Sequence, residues 1–231
     1  MKIVVSTGAG VSAESGMPTY RDAGGLWENY PVMEVASDVG FRRNPELIHE
    51  FYSNMRQKLV SQIRPNAAHV GLAQMERDHE MHIITQNVDD LHERGGSSRV
   101  LHLHGELMKV RSMTHPERVY QLPCERLSDK GLTTTVDTLD PYGDHVRPHI
   151  VFFGEDVPNM GAAAQLASEA DVFVVIGTSL VVYPAASLLH YVRPGVPIYY
   201  IDPRPAAVPS NVTVLPMVAT EGVARLRELL A

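Results

Sequence analysis

Three stretches of this sequence place chemically capable residue types at close spacing. The first is Ser6-Thr7-Gly8-Ala9-Gly10-Val11-Ser12, where small residues follow the apolar run Ile3-Val4-Val5. A strand ending in such residues lets backbone N–H groups approach a phosphate, and the same glycines also suit a tight strand-to-helix turn that holds nothing. Ala13 stands where a Gly-x-Gly-x-x-Gly fingerprint has its third glycine, and no Walker lysine follows. The second is Gln86-Asn87-Val88-Asp89, two side-chain amides and a carboxylate just after the apolar run Met81 to Thr85. These groups can hydrogen-bond a polar ligand or form an Asn/Asp turn. The third is His102-Leu103-His104-Gly105. An imidazole titrates near working pH, and at a strand end it sits where ligands collect in open α/β sheets; in a core it is satisfied by a backbone carbonyl instead. His102 and His104 also have the spacing of a metal-binding pair, but no third ligand stands at a diagnostic distance. His79, His82 and His92 are expected at the surface or behind a site.

These groups need a frame, and the β-branched runs supply one. Ile3–Val5, Met81–Thr85, Val100–Leu103, His149–Phe153, Val172–Ile176, Pro197–Ile201 and Val212–Leu215 read as strands, several without polar alternation, as in parallel strands buried on both faces. Helix-like stretches separate many of them: Pro45–Ser61, Asn66–Arg77, Ala162–Glu169, Ala185–Tyr191 and Thr220–Leu230. The alternation predicts an α/β fold, a doubly wound, Rossmann-like parallel sheet. Two regions break the rhythm, so the expected division is a nucleotide-binding body over residues 1–27, 66–110 and 145–231 with a smaller inserted lobe from 28–65 and 111–144.

Composition narrows the class. The 231 residues, against roughly 150 per domain, allow one generous domain or one domain with an insert. Hydrophobic residues at 44% and charged residues at 20% supply a core and exclude wholesale disorder. With 27 acidic and 20 basic residues the formal charge is −7, and the basic residues are scattered, so direct nucleic-acid binding is not expected. The single cysteine, Cys124, allows no intramolecular disulfide and no thiolate metal cluster, which points to a reducing, cytoplasmic setting. The N-terminal apolar run is too short for a signal peptide, and Gly177-Thr178-Ser179 and Pro184 interrupt the uncharged stretch Val172–Leu189, so no membrane association is expected.

Five segments in order resemble the sirtuins, the NAD-dependent protein deacylases. They are Gly8-Ala9-Gly10-Val11-Ser12-Ala13-Glu14-Ser15-Gly16-Met17-Pro18 with Tyr20-Arg21, then Thr85-Gln86-Asn87-Val88-Asp89-Asp90-Leu91-His92, Leu103-His104-Gly105-Glu106, Arg147-Pro148-His149-Ile150-Val151-Phe152-Phe153-Gly154-Glu155, and Gly177-Thr178-Ser179 with Val182-Tyr183-Pro184-Ala185. The resemblance covers nearly the whole chain. It implies NAD as cofactor and acylated lysine side chains of proteins as substrate. His104 would be the general base, taking a proton from a ribose hydroxyl after the acyl oxygen has attacked the ribose as nicotinamide departs, and Asn87 would assist. The resemblance assigns the cofactor to Gly8, Ala9, Gly10, Ser12, Glu14, Tyr20, Arg21, Trp27, Gln86, Asn87, Asp89, Gly177, Thr178, Ser179, Asp202 and Ala219. It assigns the substrate to Tyr52, Arg56, Val151, Phe153, Gly154, Glu155 and Val182, the stretch 151–155 pairing its backbone with a peptide. Tyr20 replaces the usual phenylalanine and Asp202 the usual asparagine.

Two departures matter. Most sirtuins hold a structural zinc with two Cys-x-x-Cys pairs, whereas 111–144 offers only Cys124, so a zinc-free lobe packed through Val119, Leu122, Leu127 and Val136 is expected, with no metal site. Sirtuins that prefer malonyl or succinyl lysine carry Tyr-x-x-Arg on the acyl-pocket helix. Here Tyr52-Ser53-Asn54-Met55-Arg56 puts methionine at the matching position, and Arg56, one residue and about 100° further round, is the candidate substitute. Ala23 is small and consistent with a roomy pocket. Deacetylation is therefore the default expectation and acidic-acyl removal the variant. ADP-ribosyl transfer or NAD cleavage at the same pocket, and a non-catalytic NAD or ADP-ribose sensor, are the alternatives.

Overall fold

The computed structural model describes residues 1–19, 26–27 and 29–230. In chain order the first half contains β1 (Lys2–Thr7), α1 (Gly10–Ala13), β2 (Leu26–Trp27), β3 (Tyr30–Pro31), α2 (Val32–Val35), α3 (Asp38–Arg43), α4 (Pro45–Ser61), α5 (Ala67–Met75), β4 (Glu80–Thr85), α6 (Leu91–Gly95) and β5 (Val100–His102). The second half contains β6 (Gly105–Ser112), β7 (Val119–Gln121), β8 (Val146–Ile150), α7 (Met160–Glu169), β9 (Val172–Ile176), a 3-10 helix (Ala185–Tyr191), β10 (Ile198–Ile201), β11 (Val212–Leu215) and α8 (Ala219–Leu229).

Six strands pair in parallel in the order β11-β10-β9-β1-β4-β5. Alternate residues of the central strands sort to two faces. Ile3, Val5, Val174 and Ile176 pack against Leu72 of α5 and Val223 and Leu226 of α8. Val4, Phe173 and Val175 pack against Ala163 and Ala167 of α7 on the other side. Burial on both faces is why these strands show no polar alternation. The chain runs outward from β1 through β4 to β5 and outward from β9 through β10 to β11, so the direction of winding reverses between β1 and β9, where ligands bind in doubly wound sheets. Register sharpens this: Thr7 lies opposite both Thr85 and Ile176, and Ile176 opposite Ile201, so four strands end at one level.

One expectation needs correction. The strand read at His149–Phe153 is β8, and it pairs antiparallel with β6 in a separate three-stranded sheet, β7-β6-β8. Its partner β6 was not read as a strand, because Glu106, Lys109 and Arg111 alternate with buried Leu107, Val110 and Ser112 and make the run look polar. The small sheet therefore draws on segments that the sequence reading grouped with the nucleotide-binding body. The helix-like stretch Ala185–Tyr191 is helical over those residues, as a 3-10 helix.

Within the small lobe, Val110, Tyr120, Leu122, Leu127 and Val146 form the core, whereas Val119 is exposed and Val136 lies outside that cluster. Asp140, its side chain fully buried, accepts from Tyr120 Oη at 3.0 Å and pairs with Arg118 at 3.2 Å, and Arg118 also pairs with Asp144. A cluster of Trp27, Phe41, Phe51, Tyr52 and Phe152 joins the helices α2–α4 to the small sheet, with Trp27–Phe51 and Phe51–Tyr52 ring centroids each 5.1 Å apart. α4 starts at Pro45 with the Asn44 side chain accepting from Leu47 N–H, a cap that fixes where Tyr52 and Arg56 fall on the helix.

Candidate active site

Because the strands end level, the residues that follow them meet at one edge: Gly8 after β1, Gln86 after β4, Gly177 after β9 and Asp202 after β10. They line a cavity of about 710 Å³ that extends under the helical and small-sheet lobe. The two glycine turns touch. Gly8 N–H donates to Ile176 O at 3.0 Å and Gly10 N–H to Gly177 O at 2.8 Å. A Cβ on Gly10 would lie 2.6 Å from Gly177 Cα, and one on Gly177, at φ +62°, would lie 2.5 Å from Val11 N. The N–H groups of Gly8 and Gly10 thus have backbone acceptors, and the absence of side chains on these glycines lets the two turns pack closely.

The loop after β4 is fixed from several sides. Gln86 N–H donates to Thr7 O at 2.9 Å, and the Gln86 side-chain amide to Thr178 Oγ1 at 3.3 Å. Asn87 N–H donates to Thr85 Oγ1 at 3.0 Å, and Asn87 Nδ2 to Gly8 O at 3.2 Å and Ser12 Oγ at 3.1 Å. Ser12 Oγ donates in turn to Asp89 Oδ2 at 3.1 Å. Ser12 and Asp89 do not reach the main cavity; with Ala9, Trp27, Gln86 and Asn87 they line a small adjoining recess of about 40 Å³. Burial pushes the Asp89 carboxyl up to about 6, against the opposing hydrogen bonds from Leu91 N–H and Ser12. Behind this loop His92 Nε2 lies 3.0 Å from Thr7 Oγ1, and the His69 and His92 rings meet edge to face at 4.9 Å. His92 is fully buried and held neutral by that burial, while His82 pairs with Glu80.

His104 lines the main cavity between β5 and β6. Its Nδ1 lies 3.0 Å from Gln86 O. A carbonyl only accepts, so Nδ1 carries the proton and Nε2 is left as the basic nitrogen of the neutral ring. Burial lowers its pKa from the ordinary value, against a smaller opposing effect of the Gln86 bond. The neighbouring His102 does not form a metal pair with it: His102 contacts Asn87 O and Glu93, and no cluster of three or more His, Cys, Asp or Glu able to hold a metal occurs among the described residues.

Of the other expected cofactor residues, Gly8, Ala9, Gly10, Glu14, Trp27, Gln86, Asn87, Gly177, Thr178, Ser179, Asp202 and Ala219 all line the cavity. The Glu14 carboxylate accepts from Thr220 N–H at 3.1 Å and Thr220 Oγ1 at 2.7 Å, tying α1 to the start of α8. Tyr20, Arg21 and Ala23 lie outside the described residues. Of the expected substrate residues, Tyr52, Val151, Phe153, Gly154, Glu155 and Val182 line the cavity. Arg56 does not. Fully buried, it donates from Nε to Leu107 O at 2.9 Å and from Nη1 to Leu132 O at 3.0 Å, because the extra residue of helical rotation turns it toward the small lobe. Sequence reasoning missed Val181, Tyr183 and Arg204, which also line the cavity. Arg204 was readable only as the residue two beyond Asp202.

The segment after β8 crosses between the lobes. Val151 N–H donates to His104 O at 2.9 Å, and Phe153 bridges to the 36–38 stretch through Phe153 N–H to Ala36 O at 2.8 Å and Asp38 N–H to Phe153 O at 3.0 Å. The backbone of Phe153 is thus already paired within the chain. The Glu155 carboxylate closes the turn through Gly154, φ +95°, by accepting from Phe152 N–H at 2.9 Å and from Arg147 Nη1 at 2.6 Å. The Arg147 guanidinium carbon lies 4.3 Å from the Phe152 ring centroid and 4.9 Å from that of Phe41. Glu155 therefore shapes the segment through Arg147 and the turn.

A doubly wound sheet with a ligand crevice at its switch point, a neutral imidazole and a carboxamide-rich loop over that crevice, defines a nucleotide-binding α/β enzyme class. The Sir2 family model matches residues 8–184, and the chain belongs to that family. It is similar to a protein of Bacteroides thetaiotaomicron named NAD-dependent protein deacylase, 47% identical over 230 residues, covering 99% of this chain and 97% of the relative. A protein of the same name from Helicobacter pylori is 48% identical over 212 residues, covering 91% and 87%. Among solved structures, a Sir2 homolog–NAD complex superposes with a TM-score of 0.85 at 36% identity, covering 100% of this chain and 91% of that one.

Glu155→Ala leaves the Arg147 guanidinium, about nine-tenths buried, without its carboxylate. The expected loss is about 3 kcal/mol of unfolding free energy, measured by urea denaturation.

Proposed function

We propose that this chain is an NAD-dependent protein deacylase that removes acyl groups from lysine side chains, with His104 as general base. The observation that carries the assignment is the His104 ring at the cavity wall, its Nδ1–H fixed on Gln86 O so that Nε2 is the free basic nitrogen. NAD fits the crevice on its donor set: apolar surface from Ala9, Ile201, Val218 and Ala219 stands beside amide, hydroxyl and carboxylate groups of Gln86, Asn87, Thr178, Ser179 and Asp202, in a volume within the usual ligand range of roughly 300–1,000 Å³. When bound, NAD supplies a ribose carbon that becomes electrophilic as nicotinamide leaves. Gly8, Ala9, Gly10, Gly177, Thr178, Ser179, Asp202 and Ala219 would hold the adenosine and phosphate half, and Ser12, Gln86, Asn87 and Asp89 the nicotinamide half. Glu14 and Trp27 complete the walls, and Tyr20 and Arg21 keep their assigned roles as proposals. Val151, Phe153, Gly154, Glu155 and Val182 border the peptide side.

Burial helps His104 as a base, because it keeps the ring unprotonated at lower pH than a free imidazole. Activity then falls as pH drops through a His104 pKa lying below about 6.5, which a pH profile of kcat/KM for deacetylation locates. His104→Ala is expected to lower turnover by about 10² to 10⁴ while calorimetry still detects NAD binding. Turnover near wild type in that variant would sink the assignment.

Acyl preference follows from the wall around Tyr52. Trp27, Val32, Ala36, Tyr52, Ile150 and Phe152 bring no cation there, and Arg56 is engaged with the Leu107 and Leu132 carbonyls. Among these described wall residues an acyl carboxylate would be desolvated with no cation beside it. Acetylated peptide should be turned over roughly tenfold or more faster than succinylated peptide, a ratio that mass spectrometry of both reactions reads directly.

The small lobe works without zinc in this reading, which rests on the lone Cys124 and on the packing of Tyr120, Leu122 and Leu127. Elemental analysis should find far less than one zinc per chain, and chelator should leave activity unchanged. No helix among the described residues is long and apolar enough to cross a membrane. The −7 charge and the single cysteine support the further reading of a cytoplasmic enzyme that acts on proteins and binds neither membrane nor nucleic acid.

A further inference from the structure

Two imidazoles grip the loop that carries Asn87. His104 Nδ1 lies 3.0 Å from Gln86 O, and His102 Nδ1 lies 3.0 Å from Asn87 O, so histidines two residues apart hold consecutive carbonyls. The rings differ in what meets the other nitrogen. His104 borders the cavity, whereas His102 Nε2 lies 2.8 Å from Glu93 Oε1 on α6. A backbone carbonyl and an ionised carboxylate are both acceptors, and a neutral imidazole has a single N–H. A neutral His102 would therefore set two lone pairs face to face at one of these contacts. Only the doubly protonated ring satisfies both.

We propose that His102 is a positioning residue of the active site: an imidazolium, anchored by Glu93, that fixes the Asn87 carbonyl and through it the Asn87 side chain over the cavity. The proposal deepens the deacylase reading and rests on it for its catalytic consequence. Other contacts agree. Asn159 Nδ2 donates to His102 O at 2.8 Å and fixes the strand end, and the ring is only 8% exposed, so it has little freedom to turn to solvent. The Glu93 side chain is 40% exposed and keeps its charge in contact with water. Every charged or titratable group facing the ring tells in a known direction. Burial disfavours the charged form of His102, but the Glu93 bond and charge, with Glu106 on β6, outweigh it and raise the pKa above the ordinary value. Glu106 is itself paired with Lys109 at 2.7 Å. The positive ring in turn favours ionised Asp89 and neutral His92. One strand end thus holds a charged histidine and, two residues on, a neutral one, each state set by its second partner.

The test is NMR of ring-labelled histidine in the full chain, with the His102 signals assigned by their loss in His102→Gln. Wild-type His102 should titrate above about 6.5 and show protons on both ring nitrogens below that midpoint, whereas His104, which titrates lower, should still show one just below it. Glu93→Gln, which keeps an acceptor but removes the charge, should bring the His102 midpoint below about 6.5. It should also lower kcat by about tenfold or more, with less effect on KM for peptide. Glu93→Asp should restore the doubly protonated signature in part. A wild-type His102 that titrates below about 6.5, or a Glu93→Gln variant with unchanged titration and unchanged kcat, overturns the proposal; the wild-type titration stands even where Glu93→Gln does not fold. A chain with the doubly protonated His102 but no deacylation of any acetyl peptide would instead defeat the functional reading and leave the ring's protonation standing.

Discussion

The contact between the Gly8–Gly10 turn and Gly177 is the constraint on which the site depends. Level strand ends bring two backbones together at the switch point, and a Cβ on Gly10 or Gly177 would fall within 2.7 Å of the opposing main chain. Without side chains there, the first turn donates two backbone hydrogen bonds, to Ile176 O and Gly177 O, and the remaining groups hang from that junction. Asn87 Nδ2 reaches the Gly8 carbonyl, Gln86 reaches Thr178 beside Gly177, and Tyr200 Oη donates to Thr178 O at 2.7 Å from the neighbouring strand. A chain of hydroxyls, Thr7 to Thr85 to the Asn87 amide, carries the same order one layer deeper. Such a buried polar set is rigid because each member has a partner and little access to water.

The parallel sheet was legible because its strands are apolar on both faces, and β9 and β11 fall where the residue pattern places them. The glycine turns, the Gln86–Asp89 loop and His104 were legible for a related reason: each directly follows such a strand. What failed to read is local polarity serving a distant contact. Glu106, Lys109 and Arg111 disguised β6, and with it the true partner of β8. Arg56 carried the right residue type for an acyl carboxylate, but one residue of helical phase sends it to the Leu107 and Leu132 carbonyls. The histidines at 69 and 92 were unreadable as a buried pair, since nothing in spacing tells that two rings from α5 and α6 will meet under the Ser12 hydroxyl.

The segment 151–155 links the two lobes mechanically. Val151 holds the His104 carbonyl on one side, Phe153 holds the 36–38 stretch on the other, and the Arg147–Glu155 pair fixes the turn between aromatic rings. A displacement of α3 relative to the sheet would therefore be felt at the residue bearing the basic nitrogen. This continuity of hydrogen bonds and packed rings ties the 36–38 stretch to the strand end that carries His104.

Arg56 has a consequence for durability. A fastener made from a guanidinium and main-chain oxygens cannot be oxidised, as paired thiolates can, and offers nothing for a sequestering agent to strip away. Burial lowers the Arg56 pKa only to about 10, so the clasp between α4 and the 132–134 loop stays charged across the pH range of a living cell. The tie between that helix and that loop is thus made by a side chain and oxygen acceptors alone, with neither a thiol nor a metal ion in the contact.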